Sequence, residues 1–365
     1  MSIDEIIVSL ETFAPVYFQE EYDNAGLLTG DAKNKCTGAL ISLDVTEEVI
    51  QEAIKKKCNL VIAHHPLIFK GLKKITGNNY VERTVIKAIK NDIAIYAIHT
   101  NLDNVKNGVN KKIADRLALK NISILQPKEN ILEKLITFAP PDKADDVRSA
   151  LFAAGGGALG KYSECSFSSM GTGTFKPGEG ADPYVGKIGK RHEEKEIKIE
   201  VIFPAYLQDK MVQAMITAHP YEEIAYDIIS LNNYFTEIGS GMIGELEEPI
   251  EENAFLQNMK EQFNLKMIRH TDLSGRKIKK VAVCGGAGSF LIHAALQNKA
   301  DAFITADIKY HDFFDVENRM LLADIGHFES EQFTIDLLYE ILQQKFPNFA
   351  VRKTEVRTNP VNYYL

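Results

Sequence analysis

The feature that most constrains this chain is a pattern written three times: a short apolar run stops abruptly at imidazoles and carboxylates. LVIA at 60–63 stops at His64-His65-Pro66, IAIYAI at 93–98 stops at HTNLDN, and MLLADIG at 320–326 stops at His327. Helix-like segments separate these runs. Residues 46–57, TEEVIQEAIKKK, carry a Thr cap, early acids and late lysines, which suits a helix dipole. Residues 81–90, 289–298 and 328–344 also read as helices, while GALISLD at 38–44, VAVCGG at 281–286 and DAFITAD at 301–307 read as strands. Alternation of buried strands and helices predicts an α/β fold with a mostly parallel sheet. In such sheets ligands sit beyond the carboxyl ends of the strands. The polar clusters are expected at that edge.

Residues 128–232 differ. They hold a Gly cluster at 155–157, a Gly/Pro-rich loop from Gly171 to Gly189, an alternating strand at 196–203 and a helix at 207–218 ending at His219-Pro220. The simplest organisation is a discontinuous α/β domain, 1–127 and 233–365, interrupted by a smaller α+β domain, 128–232.

Composition excludes several classes. The 365 residues suffice for two domains, and 45% hydrophobic content can bury real cores. With 42 basic and 50 acidic residues the net charge is 42 − 50 = −8, which gives no footprint for general nucleic-acid binding. Lys70, Lys73 and Lys74 read as a solvated loop. Cys36, Cys58, Cys165 and Cys284 form no C-x-x-C pair, which fits a reducing compartment. The start, MSIDEIIVSLE, lacks the features of a signal peptide, and no apolar run has the roughly 18 residues that a membrane span needs. A cytoplasmic protein is expected.

The strand-end residues suggest metal chemistry. His327 and Glu331 are four residues apart, one helical turn, so their side chains share a face. His64 and His65 would point to opposite faces of a strand, unless the chain turns at Pro66. With Asp103 they make five His/carboxylate ligands, more than one tetrahedral ion needs, and they suit two ions with Glu331 as a bridge. Imidazole with carboxylate favours Zn, Mn, Fe, Co or Ni over Ca or Mg. Each residue alone reads equally as an ordinary hydrogen-bonded side chain at a strand end. His99 is read as a supporting group or a substrate-side acid/base. His311, with Tyr310, reads either as a group lining the same cavity or as plain surface polarity.

Other motifs carry less. CGGAGS at 284–289 opens a helix, but Leu291 occupies the third glycine position of a dinucleotide fingerprint. Phosphoesterases of the DHH type need Asp where this chain has Ala63. Tyr221, Glu222 and Glu223, after His219-Pro220, read as a small-molecule or metal pocket in the insert, or as solvated acids after a helix. His192, His270 and His293 receive no role.

AHHP at 63–66, HTNLDN at 99–104 and GHFESE at 326–331 resemble motifs of the NIF3-like family, the GTP cyclohydrolase 1 type 2 homologs. YDNAGLLTGD at 22–31, GSGMIGEL and TADIKYHD at 305–312 match the same family in order. MGTGTFKPGEGADPYVGKIGK at 170–190 and AHPYEEIAYDI resemble its inserted domain, similar to CutA and PII proteins with a ferredoxin-like fold. The resemblance implies His64, His65, Asp103, His327 and Glu331 as ligands of two divalent ions per subunit, zinc first, and a homohexamer around an internal cavity. One departure is Ala306-Asp307, where many members have Gly-Glu, so the role of that carboxylate is open. The implied activity is hydrolytic opening of the imidazole ring of GTP, with His99 or His311 moving a proton. The alternative is a non-catalytic sensor or adaptor for metal or nucleotide.

Overall fold

The computed structural model describes residues 1–364. These divide into two compact units, one made of 1–127 and 236–365, the other of 128–235.

The larger unit contains two sheets, where strand–helix alternation alone suggested one. Alternation fixes the sense of neighbouring strands but not how many sheets share them. The first sheet has the order Gly26–Thr29, Ala94–Ala97, Leu60–Ala63, Ala39–Ser42, Val351–Lys353. All its pairs are parallel except the edge strand Gly26–Thr29. Its three central strands are buried at every residue, which is why they read as unbroken apolar runs. Helix Glu47–Lys55 starts where the Thr46 hydroxyl accepts from the Val49 N–H, and helix Tyr80–Lys90 where Asn79 caps Glu82. Val49, Ile50 and Ala53 pack on Leu40, Val61 and Ala63. Each large side chain so buried contributes about 1.5–3 kcal/mol.

The second sheet has the order Arg269–His270, Leu321–Asp324, Ala302–Ala306, Lys277–Ala287, Phe235–Glu251, Lys120–Lys128. Its centre is parallel and its flanks antiparallel. Lys277–Ala287 does not end in a glycine turn. The strand runs through Gly285 and Gly286, with an irregular register between Val283 and Ala287. The expected helix 289–298 is a 3₁₀ turn, Ser289–Leu291, followed by Ile292–Gln297. The expected helix 328–344 is two helices, His327–Glu331 and Thr334–Lys345. At the break the Gln332 side chain donates to the carbonyls of Glu329 and Phe263, taking over a bond that a continuing helix would make.

The smaller unit follows a β-α-β-β-α-β order: Leu132–Ala139, Ala144–Ala153, Ser166–Phe175, His192–Pro204, Gln208–Ala218, Tyr226–Leu231. Its antiparallel sheet places the second strand at one edge, then the third, first and fourth, a ferredoxin-like arrangement. Leu135, Val147, Leu151, Val201, Phe203 and Met211 form its core. Part of the expected Gly/Pro-rich loop is strand, because Gly171 and Gly173 lie within Ser166–Phe175. A Cβ at Gly173 would collide with the Glu196 carboxylate, so the glycine there serves packing rather than turning.

Candidate metal centre

The cluster is built from strand ends of both sheets. After Leu60–Ala63 the chain turns, and the His64 and His65 N–H groups still bond back to the carbonyls of Ser42 and Leu43. The two rings therefore converge, with centroids 5.0 Å apart. After Ala94–Ala97, the short helix Thr100–Asn104 presents Asp103. After Leu321–Asp324, the helix His327–Glu331 brings His327 Nε2 to 3.2 Å from Glu331 Oε2.

Each imidazole is tethered through Nδ1, which leaves Nε2 as the inward atom. His64 Nδ1–H donates to the Ile98 carbonyl at 2.9 Å. Asp44 Oδ1 accepts from His65 Nδ1 at 2.7 Å, and Asp307 Oδ2 accepts from His327 Nδ1 at 2.6 Å. Inward, His65 Nε2 lies 2.9 Å from Glu331 Oε2 and 3.2 Å from His327 Nε2. His64 Nε2 lies 3.5 Å from Asp103 Oδ1 and 3.8 Å from Glu331 Oε1. Ligand atoms about 2.0–2.2 Å from one ion stand about 3.3–3.6 Å from one another in a tetrahedral shell. His64, Asp103 and Glu331 form one group with ligand atoms within 4.8 Å of one another, His65, His327 and Glu331 form another, and His64, His65 and His99 a third.

Two atoms test whether a cation fits. His64 Nε2 and Asp103 Oδ1 are buried with no hydrogen-bond partner among the described residues. With Nδ1 donating, His64 Nε2 is a lone pair, and it faces carboxylate oxygens that are also acceptors. Such an arrangement is costly unless a positive charge sits among the atoms. The residues therefore fit a divalent ion.

The electrostatics agree. Burial pushes the His64 cation down, so this ring stays neutral. Burial and the nearby Glu331 charge hold the Asp103 carboxyl well above its usual range. Glu331 is buried too, but the imidazoles of His327 and His65 against its carboxylate hold it well below the usual carboxylate range. For His65 burial opposes the cation, yet bonds to Asp44 and Glu331 outweigh it and raise the imidazole to about 10. His327 is raised in the same way, by Glu331 and Asp307, to about 9.

His99 stands beside this cluster, its ring 5.3 Å from His64 and 5.4 Å from His65, with Asp23 Oδ1 accepting from Nδ1 at 2.8 Å. His311 is not brought in. It is exposed, its ring neighbours are Tyr310 and Phe314, and it is not among the residues lining the cavity. The cavity in front of the cluster measures about 700 Å³ and is bordered by the exposed aromatics Tyr22, Phe69, Tyr80 and Phe290. Gly286, at φ +62°, is part of its support: a Cβ there would strike Glu331 Oε1. Its N–H and that of Gly285 are taken by Ser330 Oγ and Asn110 Oδ1, so this glycine pair offers no free cradle to an anion.

Asp23, Asp44 and Asp307 were not assigned from sequence. Asp44 had a usable signal, since it too follows an apolar strand, Ala39–Ser42.

The fold and the site together define an α/β protein with an imidazole–carboxylate cluster of the kind that holds divalent cations. Residues 1–360 match the family model Duf34/NIF3 (NGG1p interacting factor 3), and the chain belongs to this family. It is 40% identical to the GTP cyclohydrolase 1 type 2 homolog of Halalkalibacterium halodurans over 363 residues, 98% of each chain. It is 37% identical to the protein of the same name from Bacillus subtilis, again over 98% of each chain. Among solved structures, a Bacillus cereus protein related to NIF3 superposes with a TM-score of 0.86 at 39% identity, covering 100% of this chain and 99% of the other.

Proposed function

We propose that the protein is a metal-dependent hydrolase holding two divalent ions, one by His64 and Asp103, the other by His65 and His327, with Glu331 shared. The observation that carries this reading is the convergence of three Nδ1-tethered imidazoles on one buried glutamate that belongs to two of the three possible ligand groups. Zinc is the first candidate for this donor set, with Mn, Fe, Co and Ni as alternatives. When bound, such a pair supplies Lewis acidity and lowers the pKa of water towards about 7.

The chain's own residues supply the rest. Asp44, Asp307 and the Ile98 carbonyl hold the imidazoles in one tautomer. Asp23 orients His99, which is placed to move a proton at the cavity side of the cluster. Tyr22, Phe69, Tyr80 and Phe290 offer faces against which a planar substrate would stack. The relatives' name points to GTP, and the family resemblance implies hydrolytic opening of its imidazole ring. We assign this substrate on that name and on the aromatic border of the cavity. His311 is exposed, and we leave it out of the mechanism.

The deciding experiment measures bound metal in the purified protein and GTP consumption with and without added Mn or Zn. Metal-dependent turnover that disappears in His65→Ala supports the hydrolase. Full metal occupancy with no turnover across a broad hydrolase panel favours the second reading, a non-catalytic sensor, for which the separate ferredoxin-like unit with its own cavity is the supporting observation. We also place the protein in the cytoplasm as a homohexamer. Four free cysteines, three of them buried, suit a reducing compartment. No helix among the described residues is long and apolar enough to cross a membrane. Light scattering of the eluted protein tests the hexamer.

A further inference from the structure

The smaller unit contains a cavity of about 650 Å³ that the metal chemistry does not use. Glu196 lines it, and this side chain is only 9% exposed. The neighbouring strand gives it room at Gly173, where any Cβ would run into its carboxylate. The Tyr221 hydroxyl donates to Glu196 Oε1 at 3.0 Å. Among the described residues no Lys or Arg pairs with it. Lys198, which also lines the cavity, is engaged with Glu200 at 2.6 Å. A carboxylate shielded from water with one neutral donor is costly, and a cation of suitable shape would relieve that cost.

The surrounding rings say which shape. Tyr221 is the centre of an aromatic group, with Phe175 at 6.4 Å and 52° and Tyr184 at 6.0 Å and 47°. Rings inclined to Tyr221 to this degree do not make a parallel-sided slot with it. A flat heterocycle wants two parallel faces, whereas a compact cation gains from several π faces meeting it from different directions. Glu222 and Glu223 add negative charge to the lining, against the single exposed Lys176. A metal ion is a poor match, because no His/Cys/Asp/Glu group of ligand spacing occurs here among the described residues.

We propose that this cavity binds a small organic ammonium ion, an alkylated or quaternary amine, held by Glu196 and caged by Phe175, Tyr184 and Tyr221.

Calorimetric titration of the full-length protein tests this with tetramethylammonium, choline and spermidine, and with dimethylbutanol as the uncharged carbon isostere of choline. Choline is expected to bind saturably, and the isostere at least about tenfold more weakly. Glu196→Gln, which keeps shape and removes charge, should weaken choline by about tenfold, and Tyr184→Leu should weaken it as well. His65→Ala, in the other cavity, should leave the affinity unchanged. Should Glu196→Gln fail to fold, as judged by circular dichroism, the Tyr184→Leu variant carries the test, since that side chain is 49% exposed. Equal affinity for choline and its isostere, unchanged affinity in the folded variants, loss of binding in His65→Ala, or no saturable binding of any of the three cations overturns the proposal.

Discussion

His64 Nε2 and Asp103 Oδ1 stand 3.5 Å apart, both buried, and neither has a hydrogen-bond partner among the described residues. Two acceptors sealed against each other cost about 1–3 kcal/mol apiece. A fold keeps such a pair where a cation compensates it. Metal removal should therefore lower stability measurably. At free metal about a thousandfold above Kd, bound metal adds about 4 kcal/mol. Thermal unfolding with and without a chelator measures this, and coincident curves would contradict a bound ion.

Glu331 belongs to two of the three possible ligand groups, so its loss should affect both of these. Glu331→Gln, nearly isosteric at a site only 3% exposed, is expected to reduce metal from about two ions per chain to one or none. His64→Ala should lose one ion and keep the other. Mass spectrometry of the metal content distinguishes these outcomes.

Asp307 Oδ2 accepts from His327 Nδ1 at 2.6 Å. The carboxylate is placed to orient that ring. Asp307→Ala should keep metal stoichiometry and weaken affinity by about 10- to 100-fold, with Asp44→Asn behaving alike at His65. Competition against a chromophoric chelator reads the change.

The pH dependence follows from His65, raised to about 10, and His327, raised to about 9. In the metal-free chain both folded-state values lie above the unfolded value near 6.5. Their contribution to stability is thus complete below about pH 6.5 and is lost as pH rises through 9 to 10. Metal must displace both protons, so apparent affinity should climb with pH, by up to about a hundredfold per unit while both rings are charged. A flat affinity between pH 6.5 and 8.5 would contradict the two protonated imidazoles.

Gly286 lies at φ +62° against Glu331 Oε1. Gly286→Ala should cost about 1–2 kcal/mol for the left-handed backbone alone. It should also displace the carboxylate and depress metal binding. Parallel melting curves in chelator and in zinc separate the two effects.

Much of this site was legible because its signals are local. A buried strand needs an unbroken apolar run, so LVIA and IAIYAI announce themselves, and a polar cluster that stops such a run lies at a strand end. One helical turn separates His327 from Glu331, and the helix brings them to 3.2 Å. His99 and His311 looked alike by the same local rule, yet one flanks the cluster and the other is exposed, at the start of the short 3₁₀ helix His311–Val316 and outside the cavity lining.

By itself, then, the sequence pointed to the strand-end residues and the α/β alternation, which follow from periodicity over a few residues, and to an interrupting second unit, which follows from the glycine-rich change of pattern at 128–232. Only the tertiary structure decided that two sheets share the site, that His65 meets Glu331 across 266 residues of chain, and that Asp44, Asp23 and Asp307 orient the imidazoles. The physical reason is that a carboxylate's partner depends on which strands lie side by side. That pairing is settled by packing the apolar faces of the whole unit, and no short stretch of sequence contains it.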